Sequence, residues 1–291
     1  MIYLFKEVFK VSSKEFFPEA RYDLTQLINW QANPYLFITK IVHVKVDSYS
    51  SHEGTLYVYG KNFEGIIDIS ELSIYEIDYF PDNIYTPKFV LNCFANDTCI
   101  TAMIIGYANG HFILSRKKSM RQALSYLKIG QIISAYKTGT TKTMVFLDIG
   151  AGINAIIPSH EISSCRVDAS KYFKTFQYIP VKLIDESEHE NKFIMSYKQC
   201  FSPKHIEKND IVYGKTICYT NDYSGVFVEL SPNQAGIVDT DGLLVVESRA
   251  YSYLKPNIVI GQTYPFWVKR IKQSKTTGEA QYALRFISTI K

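Results

Sequence analysis

Along most of the chain, apolar and polar residues alternate with a period of two in short runs broken by Gly, Asn, Asp and Ser, the pattern of half-buried strands. Leu56-Tyr57-Val58-Tyr59, Val145-Phe146-Leu147-Asp148-Ile149 and Val226-Phe227-Val228-Glu229-Leu230 are the clearest such runs. Helical spacing is rare. Met120, Ala123, Leu124 and Leu127 predict a short connecting helix over 116–128. A weaker helical pattern around Leu24, Leu27 and Ile28, ended by Asn33-Pro34, predicts a cap or extra element in residues 1–35.

The strands recur as a larger unit. Gly65-Ile66-Ile67-Asp68-Ile69-Ser70-Glu71-Leu72 returns as Ala155-Ile156-Ile157-Pro158-Ser159-His160-Glu161-Ile162 and again as Gly236-Ile237-Val238-Asp239-Thr240-Asp241-Gly242-Leu243, at spacings of 90 and 81 residues. Each copy follows one of the three alternating strands and closes on a further strand: Phe112-Ile113-Leu114-Ser115, Phe193-Ile194-Met195-Ser196 and Tyr282-Ala283-Leu284-Arg285. Repeating units of short strands without helical period predict closed five-stranded β-barrels, which remove exposed sheet edges. In the middle copy the strands are expected near 130–138, 143–150, 154–159, 180–186 and 192–198. The expected organisation is a cap over 1–35 and barrels within 36–118, 119–200 (with the connecting helix) and 201–291.

Three marks in one order resemble S1 domains, the OB-fold RNA-binding repeat of small-subunit ribosomal protein S1. Tyr223-Ser224-Gly225-Val226-Phe227-Val228 carries the opening turn and strand of that repeat most fully. The middle copy has Gly130-Gln131-Ile132-Ile133, Phe146 to Gly150, Pro158, Glu161 and Met195-Ser196-Tyr197-Lys198, and the first retains Gly65 to Leu72. The resemblance implies an all-β protein of tandem OB barrels that binds single-stranded RNA. Where many S1 domains place a nucleic-acid-contacting His, this chain has Asp68, Pro158 and Asp239, and Thr143 and Met144 replace the aromatic-Gly pair in the middle copy.

Charge distinguishes the copies. Residues 255–291 carry seven Lys and Arg against Glu279, whereas residues 36–110 hold four Lys against nine carboxylates. A polyanion is attracted to the first segment and repelled by the second. Alternation sends Phe227 out of its barrel, and Phe146 and Tyr57 likewise. An outward aromatic on the second strand stacks an unpaired base or packs on a neighbouring barrel. At Phe227 base stacking is the preferred reading, because Tyr219 and Tyr223 flank it and the basic end supplies phosphate partners. Arg270 and Lys272, together on one face of the fourth strand, either track an RNA backbone or protect a strand edge. The expected RNA-binding residues are therefore Tyr219, Tyr223, Phe227, Arg270 and Lys272 in the third copy and Phe146 in the middle one. Arg116, Lys117, Lys118 and Arg121 stand at a helix N-terminus, where the dipole disfavours cations.

An enzyme is not expected. Asp185-Glu186-Ser187-Glu188-His189-Glu190 reads as a solvated turn, and Gly150-Ala151-Gly152 as a hairpin turn rather than a dinucleotide loop. No catalytic residues, metal ligands, cofactor, small-molecule substrate or membrane partner are expected. The five cysteines include no C-x-x-C, and the N-terminus lacks a basic region followed by a long apolar run. A cytoplasmic RNA-binding protein with RNA, ribosome or mRNA as partner is the first reading. A protein-docking scaffold of degenerate S1-like barrels is the alternative.

Overall fold

The computed structural model describes residues 23–50, 52–74, 94, 97–174, 177–187, 192–220, 225–239, 258–273 and 280–287. Each repeat closes its own five-stranded barrel. The first comprises β1 (Ile41–Ser50), β2 (Thr55–Tyr59), β3 (Glu64–Asp68), β4 (Cys99–Ala108) and β5 (His111–Ser115). The middle barrel comprises β6 (Ile132–Thr140), β7 (Met144–Asp148), β8 (Asn154–Pro158), β9 (Tyr178–Ser187) and β10 (Lys192–Ser196). The third comprises β11 (Ile211–Tyr219), β12 (Gly225–Ser231), β13 (Gln234–Asp239), β14 (Thr263–Gln273) and β15 (Ala280–Phe286). All three share the strand order first, second, third, fifth, fourth, back to first. The protein is all-β with tandem OB-type barrels, as the repeats led us to expect.

The recurring small residue has a packing cause. Gly65 and Gly236 lie in the strands that pair parallel with β5 and β15, opposite Phe112 and Tyr282. A Cβ on Gly65 would stand 2.8 Å from Leu114 Cδ1, and one on Gly236 would stand 2.5 Å from Leu284 Cδ1. Close approach of the fifth strand's core residue therefore disfavours any larger side chain in these two barrels. The following positions alternate inward and outward, and Ile67, Ile157 and Val238 are fully buried.

Residues 23–32 depart from the expected helical pattern. They run as irregular chain and turns, followed by a 3-10 turn at Pro34–Phe37. Tertiary hydrogen bonds override the weak periodicity: Thr25 N donates to His43 O at 3.0 Å and Lys61 N to Thr25 O at 2.9 Å. Asn62 fastens the same strap, accepting from Leu27 N at 2.9 Å and donating to Leu27 O at 2.5 Å. Leu27 enters the core of the first barrel.

The connecting helix runs from Arg116 to Ser125, capped by Ser115 Oγ, which accepts from Lys118 N at 2.9 Å. Met120 and Ala123 are buried. Arg116 owes its place to packing, since it is buried, donates to Leu72 O at 2.9 Å and lies over the Phe94 ring. Asp185 to Ser187, expected in a turn, end β9, while His189 and Glu190 lie outside the described residues. Gly150 to Gly152 form the expected hairpin turn, closed by Ile149 N donating to Ile153 O at 3.0 Å.

Two compact units are drawn from residues 1–138, 147–155 and 185–193, and from residues 139–146, 156–184 and 194–291. The whole first barrel lies in one. The whole third barrel, with the loop segment 163–174 of the middle copy, lies in the other.

Candidate nucleic-acid interface

In β12, Val226, Val228 and Leu230 are buried, and Phe227 and Glu229 face outward, half-buried. Register extends this outer face around the barrel. Phe227 pairs with Ile237, Ile237 with Ala283, and Ala283 with Arg270. One strand step below, Glu229 pairs with Ala235, Ala235 with Gln281, and Gln281 with Lys272. Phe227 and Arg270 thus lie in one row across four strands, roughly 14 Å apart at the usual strand spacing.

Arg270 and Lys272 face outward because β14 is bulged. Val268 pairs with Leu284 in the core, and the register shifts before Arg270 pairs with Ala283, leaving Lys269 as the extra residue. Strict alternation from buried Val268 would have turned Arg270 and Lys272 inward. Both are exposed, and neither makes an ion pair among the described residues.

The outer face of β12 is covered at Glu229. Tyr172 Oη lies 2.9 Å from each carboxylate oxygen of Glu229, and Ser163 Oγ donates to the same group. Both partners come from the middle copy's loop segment. Ser164 N donates to Pro232 O at 2.8 Å, Cys218 Sγ lies 3.9 Å from Arg166 O, and Lys215 Nζ stands 5.8 Å from the Tyr172 ring centre. Burial, followed by the Glu229 charge, pushes the Cys165 thiol up to about 12. Burial and then the same charge raise the Tyr172 hydroxyl well above its ordinary value.

Tyr219 is placed differently from the expectation of a presented ring. It packs against the third core, with its hydroxyl 3.4 Å from Ile258 O, and so supports the face from beneath. The β11 bulge between Thr216 and Cys218 puts Cys218 opposite Phe227 and Tyr219 opposite buried Val226. Tyr223 lies outside the described residues. Phe146 faces outward on β7, half-buried, and a Cβ on Gly139 would stand 3.7 Å from its Cδ2.

The first barrel presents a different face. Tyr57 and Tyr59 line an open groove of about 640 Å³ with Trp30, Phe63, Asp47 and Glu64. Their hydroxyls donate to Glu53 at 2.7 Å and Asp97 at 2.8 Å. The Tyr57 hydrogen bond holds the Glu53 carboxyl below its usual range. Asp68 accepts from Ser70 N at 2.8 Å and caps a 3-10 turn. This is a carboxylate-rimmed surface, as the segment's charge indicated.

Sequence reasoning placed Glu229 beside Phe227 but gave it no partner, and Ser163, Arg166, Tyr172 and Lys215 were not singled out. The available signal was a carboxylate on an outward strand face that otherwise reads as a contact surface.

Residues 126–198 match the S1 RNA binding domain. The resemblance drawn from the repeats is thereby shown on the middle copy. No curated protein matches the chain. Among solved structures, a chain of the a/eIF2alpha-aDim2p-rRNA complex from Pyrococcus horikoshii OT3 is similar at 23% identity over 25% of this chain, with a TM-score of 0.23. This chain spans 45% of that one, less than half its length. GSP13 from Bacillus subtilis is similar at 17% identity over 28% of this chain and 65% of its own, with a TM-score of 0.25. A multidomain protein with nucleic acid binding domains from Streptococcus pneumoniae TIGR4 is similar at 9% identity over 86% of this chain and 74% of its own, with a TM-score of 0.25.

Proposed function

We propose that the chain is a single-stranded RNA-binding protein of the ribosomal protein S1 type, acting in the cytoplasm on mRNA or at the ribosome, and binding mainly through its third barrel. It is a binding protein and not an enzyme. The observation that carries this reading is the outer-face row in which Phe227 shares a register line with Arg270, above Lys272. An aromatic ring for a base and cations for phosphate stand on one surface, the combination that sequence-tolerant single-strand binding requires. Tyr219 supports that surface from the core side, Phe146 offers an outward ring on the middle copy, and Tyr223 is a proposed contact from its place in the sequence. Among the described residues, no helix is long and apolar enough to cross a membrane.

The test is direct titration of the full chain with single-stranded RNA and with duplex DNA at two salt concentrations. Preference for the single strand and affinity that falls with salt are expected, at a slope of about −0.7 per neutralised phosphate. Equal affinity for both nucleic acids, or none for either, overturns the reading. A scaffold role is favoured by one specific observation, the Tyr57 and Tyr59 groove with its carboxylate rim, which suits a protein partner better than a polyanion.

A further inference from the structure

We propose that the junction at which the middle copy's loop segment 163–174 packs on β11 and β12 is itself a phosphate-binding surface, carrying RNA from the third barrel onto the middle copy. This rests on the RNA-binding reading above, and names where the strand goes after it leaves Phe227 and Arg270.

The junction is fixed rather than incidental. Glu229 is held by Tyr172 and Ser163, and the neighbouring backbone bond from Ser164 to Pro232 joins the same two segments. Exposed cations gather around it. Arg166 follows buried Cys165, and its carbonyl meets Cys218, the residue opposite Phe227. Lys215 approaches from β11 over the Tyr172 ring. Lys142 adjoins them through its carbonyl, which accepts from Ala169 N at 3.1 Å, and Lys171 is 83% exposed on the same segment.

Among the described residues, the two carboxylates at this place, Glu229 and Asp168, are both engaged. Glu229 is the register partner of Lys215, but its oxygens are taken by hydroxyl donors, and no ion pair with Lys215 forms. Asp168 accepts from Ser170 N and Ser170 Oγ, with Lys171 at 3.9 Å. Four exposed cations against two hydrogen-bonded carboxylates leave a positive surface beside the proposed stacking ring. A diester backbone needs distributed positive charge of this kind rather than a shaped pocket. Clamping Glu229 therefore does two things: it covers a carboxylate that would face the RNA, and it holds the segment that carries Arg166 against the strand that carries Lys215.

The experiment uses the full chain, its Arg166→Gln/Lys215→Gln variant, and oligouridylates of about six and about twenty nucleotides, lengths that occupy one barrel or span two. For the longer oligomer, the variant is expected to lose about tenfold in affinity, and its salt slope to become shallower by about 1.4, the share of two phosphate contacts. Binding of the shorter oligomer is expected to change by less than about threefold. Lys142→Gln/Lys171→Gln repeats the test from the other side and decides it if the first variant melts lower. Unchanged affinity and slope for the longer oligomer, with the unaltered chain still binding RNA, overturn the junction and leave the third-barrel reading standing. Equal losses on both lengths also overturn it, since the cations would then belong to the third-barrel site. If the unaltered chain binds neither oligomer, the functional reading fails, and the junction with it.

Discussion

Tyr172 Oη lies 2.9 Å from both carboxylate oxygens of Glu229, so the end of the one-turn helix Ala169–Tyr172 of the middle copy holds the outer face of the third barrel's second strand. That strand is where an OB barrel presents its ligand contacts. Part of that outer face is therefore already covered at Glu229, while Phe227 stays half-buried beside it and Arg270 and Lys272 are exposed on the same face.

Tyr172→Phe removes the only proton that this ring offers to Glu229 and leaves a half-buried carboxylate with fewer donors. Thermal unfolding of the variant is expected to show a loss of about 1.5–3 kcal/mol, the usual cost of a hydrogen bond to a charged group. A variant as stable as the parent would mean that solvent replaces the hydroxyl and that the contact does not hold the two segments together.

Cys165 should be inert in the native protein. With its thiol pushed up to about 12, almost none is thiolate at neutral pH, and the side chain is buried besides. Labelling with a thiol reagent at pH 8 should leave Cys165 unmodified until the chain unfolds. The linkage sign follows: the folded state keeps a proton that the unfolded thiol gives up near its ordinary value of 9, so stability falls as pH rises between about 9 and about 12. Tyr197, also pushed up to about 12 by burial and then the Glu229 charge, acts in the same direction. Alkaline unfolding that starts only above pH 12 would contradict both.

Gly236→Ala should destabilise the third barrel by about 1–3 kcal/mol, because the added methyl meets Leu284 and the Tyr282 carbonyl in a filled core. Gly65→Ala should behave alike through Leu114 and the Phe112 carbonyl. Melting curves of the two variants check this, and tolerance of either would show that the fifth strand can move away.

The fold was largely legible because its signals are local and repeat. A small residue before two apolar ones, and an alternating strand before that, mark the same barrel position three times, and Gly65 and Gly236 show the steric reason. The connecting helix was legible from Met120 and Ala123. The strap at Leu27 was not, because its conformation is set by Asn62 and His43, far along the chain. The site was only half legible. Alternation turned Phe227 outward correctly, but bulges are invisible to a period of two: one sends Arg270 and Lys272 outward, and the other puts Cys218 opposite Phe227 while Tyr219 lies against the core. Glu229 was visible beside Phe227, yet its partners Tyr172 and Ser163 are more than fifty residues away in sequence.

The central claim, that the third barrel stacks RNA on Phe227, is tested most directly by Phe227→Ala in the full chain, with RNA affinity and melting temperature measured on the same preparation. Affinity for single-stranded RNA is expected to fall by about 1–3 kcal/mol while the melting temperature barely moves, since the ring lies outside the core. A lowered melting temperature with unchanged RNA affinity would contradict the account, showing that Phe227 serves packing and that the outer face of β12 is a docking surface.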